Sequence, residues 1–341
     1  MHGSLRFFLA TLVVLSHIGI RAGGLNVGMP AVVVFYMLAG YVVTHLCQKH
    51  FPPGKLLAFY AERFLRIYPL YLFLLLVASL FLFTTGFGHP FLTPRNIFAN
   101  LTIIPLNYFM FADFTTVVAD KHSCIINTGW SLGAEMQAYL ILPLIIRFLP
   151  LKWIAGLLSL GVFSFAMAGF IDANTWGYRL VPGVLLFFLT GSAIAKTLKH
   201  EKAADAFDKS FPVVCWTWLL CLLLALALTN HLGDNAVEVM LGFIVGMPVL
   251  WFTSRAPLRI PFDGILGRLS YGLFLIHVPA IWLYQYLFRD HTITGRAALL
   301  GHSTFLFVMV VSLILAGIAT FTVERMVWPL RNKLTQQPRK A

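Results

Sequence analysis

Long apolar stretches separated by short polar segments run along the whole chain. A helix needs about 20 predominantly apolar residues to cross the hydrocarbon of a membrane, and most of these stretches are long enough. We therefore predict an all-α, polytopic transmembrane helix bundle that forms a single domain over residues 1–341. The ten predicted spans are approximately 5–20, 27–48, 64–85, 129–149, 153–171, 180–198, 212–230, 236–253, 265–288 and 303–325.

The apolar run 96–111 does not fit this pattern. It contains Asn96, Asn100 and Asn107, and Pro105 interrupts it. Irregular backbone at membrane depth has to be covered by protein, because lipid cannot satisfy its polar groups. We predict a re-entrant or interfacial segment. If the run crossed the membrane instead, the topology after it would be inverted.

The composition excludes a soluble protein. Of the 341 residues, 59% are hydrophobic and only 11% are charged, whereas a soluble domain carries about 25% charged residues. The formal net charge of +12 is explained by basic loops on one side of a membrane, so we predict no nucleic-acid partner.

The basic residues also predict an orientation. With ten spans and a cytoplasmic N-terminus, most of the 25 Lys and Arg residues fall in cytoplasmic loops, as the positive-inside rule expects. Both chain termini are then cytoplasmic. The basic residues on the other side are Arg21, Arg95, Lys121, Arg179, Arg289 and Arg296.

The first predicted span carries two polar groups where such groups are costly. A charged side chain at membrane depth costs about 2.5–3.5 kcal/mol even on insertion scales. His17 follows Arg6 by eleven residues, which is about three helical turns, so both lie on one helix face. His17 is a candidate general base. The alternative is a packed histidine that a neighbouring group satisfies.

Arg63 and Arg66 stand at the predicted cytoplasmic end of the third span, three residues apart and therefore on one helix face. A guanidinium pair suits a polyanionic ligand, because arginine binds phosphate through two parallel hydrogen bonds. The alternative is that the two arginines only anchor the helix end.

The segment 129–143 begins a span with several polar residues, and Ser131 and Glu135 are one turn apart. Glu135 and His17 can reach similar depth below the outer boundary. A Glu–His pair is therefore geometrically feasible, and the carboxylate would orient the imidazole. The alternative is a structural Glu bonded to the backbone or to another span.

His277 lies in the middle of a predicted span, beside Pro279. It can serve in helix packing or as a second active-site group. The cysteines and histidines show no metal-ligand spacing, so we predict no metal site.

Five sequence elements, taken together and in order, resemble the membrane-bound acyltransferase 3 family of mostly bacterial O-acyltransferases. They are the first helix from Arg6 to His17, Phe35 to Thr44 in the second span, R-x-x-R-I-Y-P at Arg63 to Pro69, W-S-L-x-x-E-x-Q-x-Y-L-x-x-P at Trp130 to Pro143, and a late S-Y…L-x-H-x-P element from Ser270 to Pro279. In the second element the family typically has F-F-x-L-S-G-F-x-x-T. Departures from the family pattern include Gly3-Ser4, Ala39 and Met136.

The resemblance implies transfer of an acyl group, usually acetyl, from cytoplasmic acyl-CoA to a hydroxyl of an extracytoplasmic glycan. His17 would be the general base or a transient acyl carrier, and Glu135 would position His17 or the acceptor. Arg6, Arg63 and Arg66 would bind acyl-CoA, which is a substrate, and no bound cofactor is implied. The residues implied for the acceptor side or for structural support are Trp130, Ser131, Gln137, Tyr139 and His277.

The resemblance also implies partners and a location. The partners are acyl-CoA, a surface or lipid-linked glycan and membrane lipid, with a periplasmic transferase or a second copy of the chain as further candidates. The location is the inner, cytoplasmic membrane. We expect the stand-alone form of the family, without a fused SGNH-type domain. Two other functions stay open, namely a transporter or flippase of a glycan or anion, and a subunit that delivers acyl groups to a separate transferase.

Overall fold

The computed structural model of the protein describes residues 2–120, 123–255, 260–289 and 301–335. Lys121 and Arg296, which the sequence assigns to the outer side, lie outside these residues, as do the two ends of the predicted domain. The described residues are helical except for loops and one antiparallel pair of two-residue strands, β1 (Arg21–Ala22) and β2 (Leu25–Asn26). The prediction of an all-α protein is therefore confirmed.

The helices follow the order of the predicted spans. They are α1 (Gly3–His17), α2 (Gly28–Lys49), α3 (Leu56–Thr85), α4 (Pro94–Thr102), α5 (Gly129–Ile145), α6 (Leu149–Met167), α7 (Val181–Lys199), α8 (Ala206–Thr229), α9 (Ala236–Arg255), α10 (Asp263–Phe288), α11 (His302–Ala319) and α12 (Arg325–Thr335). Short 3-10 helices cover Ile104–Tyr108 and Glu201–Ala203, and π-helices cover Ala173–Arg179 and Thr320–Glu324.

Among the described residues, 8 helical segments are long and apolar enough to cross a membrane. They include α2, α3, α6, α8, α9 and α10, together with α7 and α11 in combination with the helices that adjoin them. The protein is therefore a multi-pass membrane protein. The two other predicted spans correspond to α1, with 15 residues, and α5, with 17 residues. Because both helices are short, the number of ten spans stays a prediction.

The ambiguous run 96–111 forms the short helix α4 and a 3-10 helix. The 9 residues of α4 rise by about 13.5 Å, well short of the roughly 30 Å of hydrocarbon. Hydrogen bonds of the three asparagine side chains stabilise this segment. Asn96 forms a capping box with Thr93, the Asn100 side-chain amide donates to the Asn96 carbonyl at 2.8 Å, and the Asn107 side-chain amide donates to the Trp130 carbonyl at 3.0 Å. The backbone carbonyl of Asn100 also accepts from the Tyr71 hydroxyl at 2.7 Å.

The chain divides into two compact units. Unit 1 falls within Met1–Gly28, Phe64–Gly133 and Arg259–Asn332, and unit 2 within Met29–Arg63, Ala134–Leu258 and Lys333–Ala341. Nothing in this division tests the prediction of a single acyltransferase domain, which stays a prediction.

In unit 1 the first turns of α1 and α10 touch through their backbones. A Cβ atom on Gly3 would lie 1.8 Å from the Asp263 carbonyl oxygen, so only glycine fits at this position. No side chain of α1's own N-cap residue, His2, caps the helix. The Asp263 carboxylate takes that role, because it accepts hydrogen bonds from the Ser4 amide at 2.8 Å and the Ser4 hydroxyl at 2.9 Å.

In unit 2 the helix α7 is buried along almost its whole length. It meets α2 by backbone contact at two places. A Cβ atom on Gly40 would lie 1.9 Å from the Phe188 carbonyl oxygen, and one on Gly191 would lie 1.8 Å from the Met37 carbonyl oxygen. Such small-residue contacts let transmembrane helices approach closely, and they hold α2 and α7 in one register.

A buried ionic network joins the ends of α6, α7 and α8 in unit 2. The Lys152 ammonium group forms ion pairs with Asp205 and with Asp208, the latter at 2.8 Å. Lys196 lies 3.4 Å from the same Asp208 oxygen and also donates to the Ile146 carbonyl at 3.0 Å. Two lysines thus face two aspartates, and this balance removes the cost of an unpaired buried charge.

We predict that Lys152→Met destabilises the protein. The substitution leaves Asp205 and Asp208 to share Lys196, and breaking a buried ion pair costs about 3–5 kcal/mol. Thermal unfolding in detergent would measure this as a lower midpoint. Lys209→Met, at an exposed position of α8, is the matched control.

The double variant Lys152→Met/Asp205→Asn tests the charge balance itself. It restores equal numbers of buried lysines and aspartates and keeps an N-cap residue on α8, so it should regain part of the lost stability. A Lys152→Met midpoint equal to that of Lys209→Met would contradict the role of the network.

Candidate active site

Two histidines of unit 1, His17 and His277, lie in contact with each other. His17 is the last residue of α1, and its Nδ1 lies 3.3 Å from Nε2 of His277, which is fully buried in α10. The ring centroids are 4.8 Å apart, at an interplanar angle of 65°. The structure therefore brings together two of the histidines that the sequence identified separately.

The register of α1 against α10 creates this pair. Gly3 meets Asp263 at the start of the two helices, and His17 meets His277 at positions fourteen residues further along each chain. The helices therefore run in parallel and in step over about 21 Å. The backbone contact and the Asp263 cap at one end thus fix which side chain lies beside His17 at the other.

The hydrogen bonds of the pair assign the protons on both rings. The Nδ1 atoms of His17 and His277 lie 2.9 Å and 3.2 Å from the carbonyl oxygens of Val13 and Leu273. A carbonyl only accepts, so each neutral ring carries its proton on Nδ1. The single Nδ1 proton of His17 is then shared between the Val13 carbonyl and His277 Nε2, and the lone pair of a neutral His17 ring lies on Nε2. This Nε2 is the atom that can remove a proton from a hydroxyl or attack an acyl carbon.

The loop before α5 is fastened beside this pair. The Thr128 hydroxyl donates to the Phe274 carbonyl at 3.1 Å, one turn before His277. Ser131 donates to the Thr128 carbonyl at 2.9 Å, and the Trp130 carbonyl accepts from Asn107. These hydrogen bonds stabilise the first turn of α5, so the Ser131 hydroxyl has a structural role there.

The two arginines of unit 1 that are predicted to bind acyl-CoA, Arg6 and Arg66, have different surroundings. Arg66 forms an ion pair with Glu324, and the two side chains are 21% and 14% exposed. Arg6 is half-buried on α1. The sequence indicated no pairing for Arg66, because Glu324 follows it by 258 residues.

In unit 2, polar groups connect Arg63 to Glu135. The Arg63 Nε donates to the neighbouring Glu62 carboxylate at 2.6 Å. The guanidinium lies 5.7 Å from the centre of the Tyr139 ring, and the Tyr139 hydroxyl donates to Glu135, one turn earlier on α5. The series Glu62, Arg63, Tyr139 and Glu135 thus links a predicted donor residue to the predicted catalytic carboxylate. The adjacency of Glu62 to Arg63 was a signal in the sequence that we did not use.

Two other predictions about residues of α5 are not tested. Gln137 is half-buried on this helix, and its role on the acceptor side stays a prediction. Glu135 belongs to unit 2 and His17 to unit 1, so their predicted pairing stays a prediction.

Comparison with known proteins identifies the chain. The model of the acyltransferase 3 family, described as an acyltransferase domain, matches residues 4–321. The chain belongs to this family. It is also similar to an uncharacterized protein of Aquifex aeolicus (strain VF5), with 31% identity over 159 residues that cover 47% of this chain and 72% of that protein. No solved structure matches the chain.

Family membership makes the protein an acyltransferase and confirms the resemblance seen in its sequence. Burial raises the pKa of the Cys124 thiol to about 12, which keeps this thiol protonated near neutral pH. Among the described residues, no group of three or more His, Cys, Asp or Glu side chains could hold a metal ion.

We predict that His277→Leu lowers kcat for acyl transfer by about 10²-fold, within the range of base catalysis, because His17 loses one of the two acceptors that share its Nδ1 proton and orient its ring. His277→Gln places an amide oxygen close to the position of Nε2. This variant should retain activity within about tenfold of wild type, because it still accepts the hydrogen bond.

The matched control is Gln285→Leu, which removes another buried polar group from α10. Steady-state kinetics at equal amounts of folded enzyme distinguish orientation from packing. Equal losses in the Leu and Gln variants of His277 would show that His277 only packs.

Proposed function

We propose that the acyltransferase moves an acetyl group from cytoplasmic acetyl-CoA to a hydroxyl of an extracytoplasmic glycan, with His17 as the general base. The observation that carries this proposal is the His17–His277 pair, which holds the His17 Nδ1 proton and leaves Nε2 as the basic atom. Membership of the acyltransferase family supplies the reaction class.

The proposed chemistry requires one proton transfer and one exchange of bonds. His17 Nε2 takes the proton of the acceptor hydroxyl while its oxygen attacks the thioester carbon. The C–S bond then breaks, and the proton passes from His17 to the CoA thiolate. Base catalysis contributes about 10²–10⁴ in rate, and alignment of the thioester with the hydroxyl contributes more. In the variant route through an acyl-histidine, the same Nε2 atom attacks the thioester.

The donor is proposed to bind through Arg6, Arg63 and Arg66. Each arginine of the third helix already pairs with a carboxylate, Arg63 with Glu62 and Arg66 with Glu324. The phosphates of CoA would therefore compete with these carboxylates. A phosphate can compete for these donors because the five N–H groups of a guanidinium match phosphate geometry as well as carboxylate geometry.

The remaining assignments follow the resemblance and the predicted orientation. Glu135, supported by Tyr139, is proposed to position the acceptor, and Trp130 and Gln137 to contact it. The basic loops support a place in the inner membrane with cytoplasmic termini. Membrane lipid, a surface or lipid-linked glycan, and a periplasmic transferase or a second copy of the chain are the proposed partners.

We predict that His17→Ala inserts normally and abolishes acylation of the surface glycan. Mass spectrometry of the polysaccharide from cells that carry each variant measures acylation, and membrane fractionation measures insertion. His302→Ala, at the exposed start of α11, is the control and should acylate as wild type does. Acylation retained in the His17 variant would eliminate the proposed base.

We also predict opposite effects on donor affinity from the two members of one ion pair. Arg66→Ala should raise the Kd for acetyl-CoA about tenfold, because a charge-assisted hydrogen bond contributes about 1.5–3 kcal/mol. Glu324→Gln should lower the Kd about threefold, because it removes a competitor for Arg66.

Isothermal titration with acetyl-CoA measures both changes. Glu201→Gln, in an exposed 3-10 turn, changes the net charge equally and serves as the control. Unchanged affinity in both Arg66→Ala and Glu324→Gln would remove Arg66 from the donor site.

A further inference from the structure

The helix α10 is interrupted close to the histidine that contacts His17. Pro279 lies inside this helix, two residues after His277. Proline has no N–H group, so the carbonyl of Leu275 loses its partner in the helical ladder and is crowded by the proline ring. A transmembrane helix tolerates such a residue where neighbouring elements stabilise the freed segment. Contacts on both sides of Pro279 are therefore expected to determine how well the imidazole is held.

One such contact lies before the proline. Thr128 immediately precedes α5 and is 3% exposed. Its hydroxyl donates to the Phe274 carbonyl at 3.1 Å. The ring of His277 also interacts with the backbone of Phe274. Thr128 thus holds a carbonyl that adjoins the imidazole, one turn before it on α10.

A second contact lies after the proline. The Trp282 indole N–H donates to an Asp120 carboxylate oxygen at 3.3 Å, and Trp282 is 1% exposed. Trp282 and Phe274 are eight residues apart, which is about 12 Å of helix, and both the imidazole and the interruption lie between them. We call the contacts of Asp120 and Thr128 with α10 the α10 brace.

The loop that carries the brace is fixed by hydrogen bonds of its own. The Ser123 carbonyl accepts from the Thr116 amide at 2.9 Å, and the Ser123 amide donates to the Asp120 carbonyl at 3.0 Å. At the other end of the loop, the Ser131 hydroxyl donates to the Thr128 carbonyl at 2.9 Å. These bonds do not involve α10, so they place both contact residues independently of the helix that the brace holds.

We propose that Asp120 and Thr128 are positioning residues of the acyltransferase. The brace holds α10 across the interruption at Pro279 and thereby keeps His277 within hydrogen-bonding distance of His17. Both residues act through His277 and contact no substrate. This inference rests on the proposed role of His17 as the base and deepens it, because it links the geometry of the base to the loop before α5.

Amide hydrogen exchange of the purified full-length protein tests the brace without any dependence on turnover. Thr128→Val keeps the shape of the side chain and removes the donor. The amides of residues 275–282 should then exchange about tenfold faster, the upper range for one neutral hydrogen bond. Thr128→Ser keeps the donor and should stay within about threefold of wild type. The matched control is Thr102→Val, because the Thr102 hydroxyl donates to the Phe98 carbonyl of its own helix, α4.

Pro279→Ala decides whether the brace compensates for the proline. Alanine restores an N–H group for the Leu275 carbonyl, so α10 should depend less on the loop. In this background Thr128→Val should accelerate exchange by less than about threefold, and the difference between the two backgrounds measures the coupling. An equal acceleration in both backgrounds would overturn the proposal, and so would unchanged exchange in Thr128→Val itself.

Steady-state acetyl transfer to the surface glycan tests the link to the base. Thr128→Val should lower kcat about tenfold and leave the KM for acetyl-CoA within about twofold, because the donor site is not altered. Thr128→Ser should restore kcat. At the other contact, Asp120→Leu should lower kcat by a similar factor, whereas Asp120→Asn keeps an oxygen acceptor and should retain it.

The two proposals fail in different ways. Faster exchange in Thr128→Val with an unchanged kcat would overturn the positioning role. Acylation retained in His17→Ala would eliminate the proposed base, and the exchange measurements would still decide whether the brace holds α10.

Discussion

The cost of an unpartnered polar group in an apolar environment shapes this protein more than any other constraint. Polar side chains in each unit meet their partners in compact pairs. In unit 1 Asp263 caps Ser4, His277 accepts from His17, and Arg66 meets Glu324. In unit 2 Lys152 lies between two aspartates. Each pair joins separate helices, so satisfying these groups also fixes which helices adjoin and in which register.

The sequence predicted the helices well and their pairings poorly, for a physical reason. Apolar length and the cost of burying charge are local properties, so the long helices could be predicted from the residues themselves, and the same properties marked His17, Arg66 and Glu135 as candidates whose roles stay predictions. The partner of a buried group is a distant residue. Asp263 follows Ser4 by 259 positions, and only the parallel register of α1 and α10 brings them together. No periodicity along the chain encodes that register, so His277 could be interpreted equally well as a packing residue.

The segment 96–111 shows the same limit, because its sequence predicts irregular structure but not the tertiary contacts that it makes. Its asparagines and Pro105 correctly indicated that it is not an ordinary span. They could not indicate how Asn107 is used, because its side-chain amide donates to the carbonyl of Trp130, which lies in a separate helix. Local sequence thus predicts where regular structure fails, and tertiary contacts determine what replaces it.

The identity of the partner of His17 bears on the chemistry. A carboxylate at the position of His277 would hold the same proton, but it would add a buried charge in the resting enzyme, which is costly in a low-dielectric site. The His277 imidazole orients His17 without any charge. In the proposed mechanism it would also stabilise a protonated His17 less than an anion would, so the imidazolium formed during transfer would be short-lived. A neutral pair therefore favours a mechanism in which the proton passes quickly from the acceptor hydroxyl to the departing thiolate, because that sequence keeps separated charge out of the membrane interior for most of the cycle.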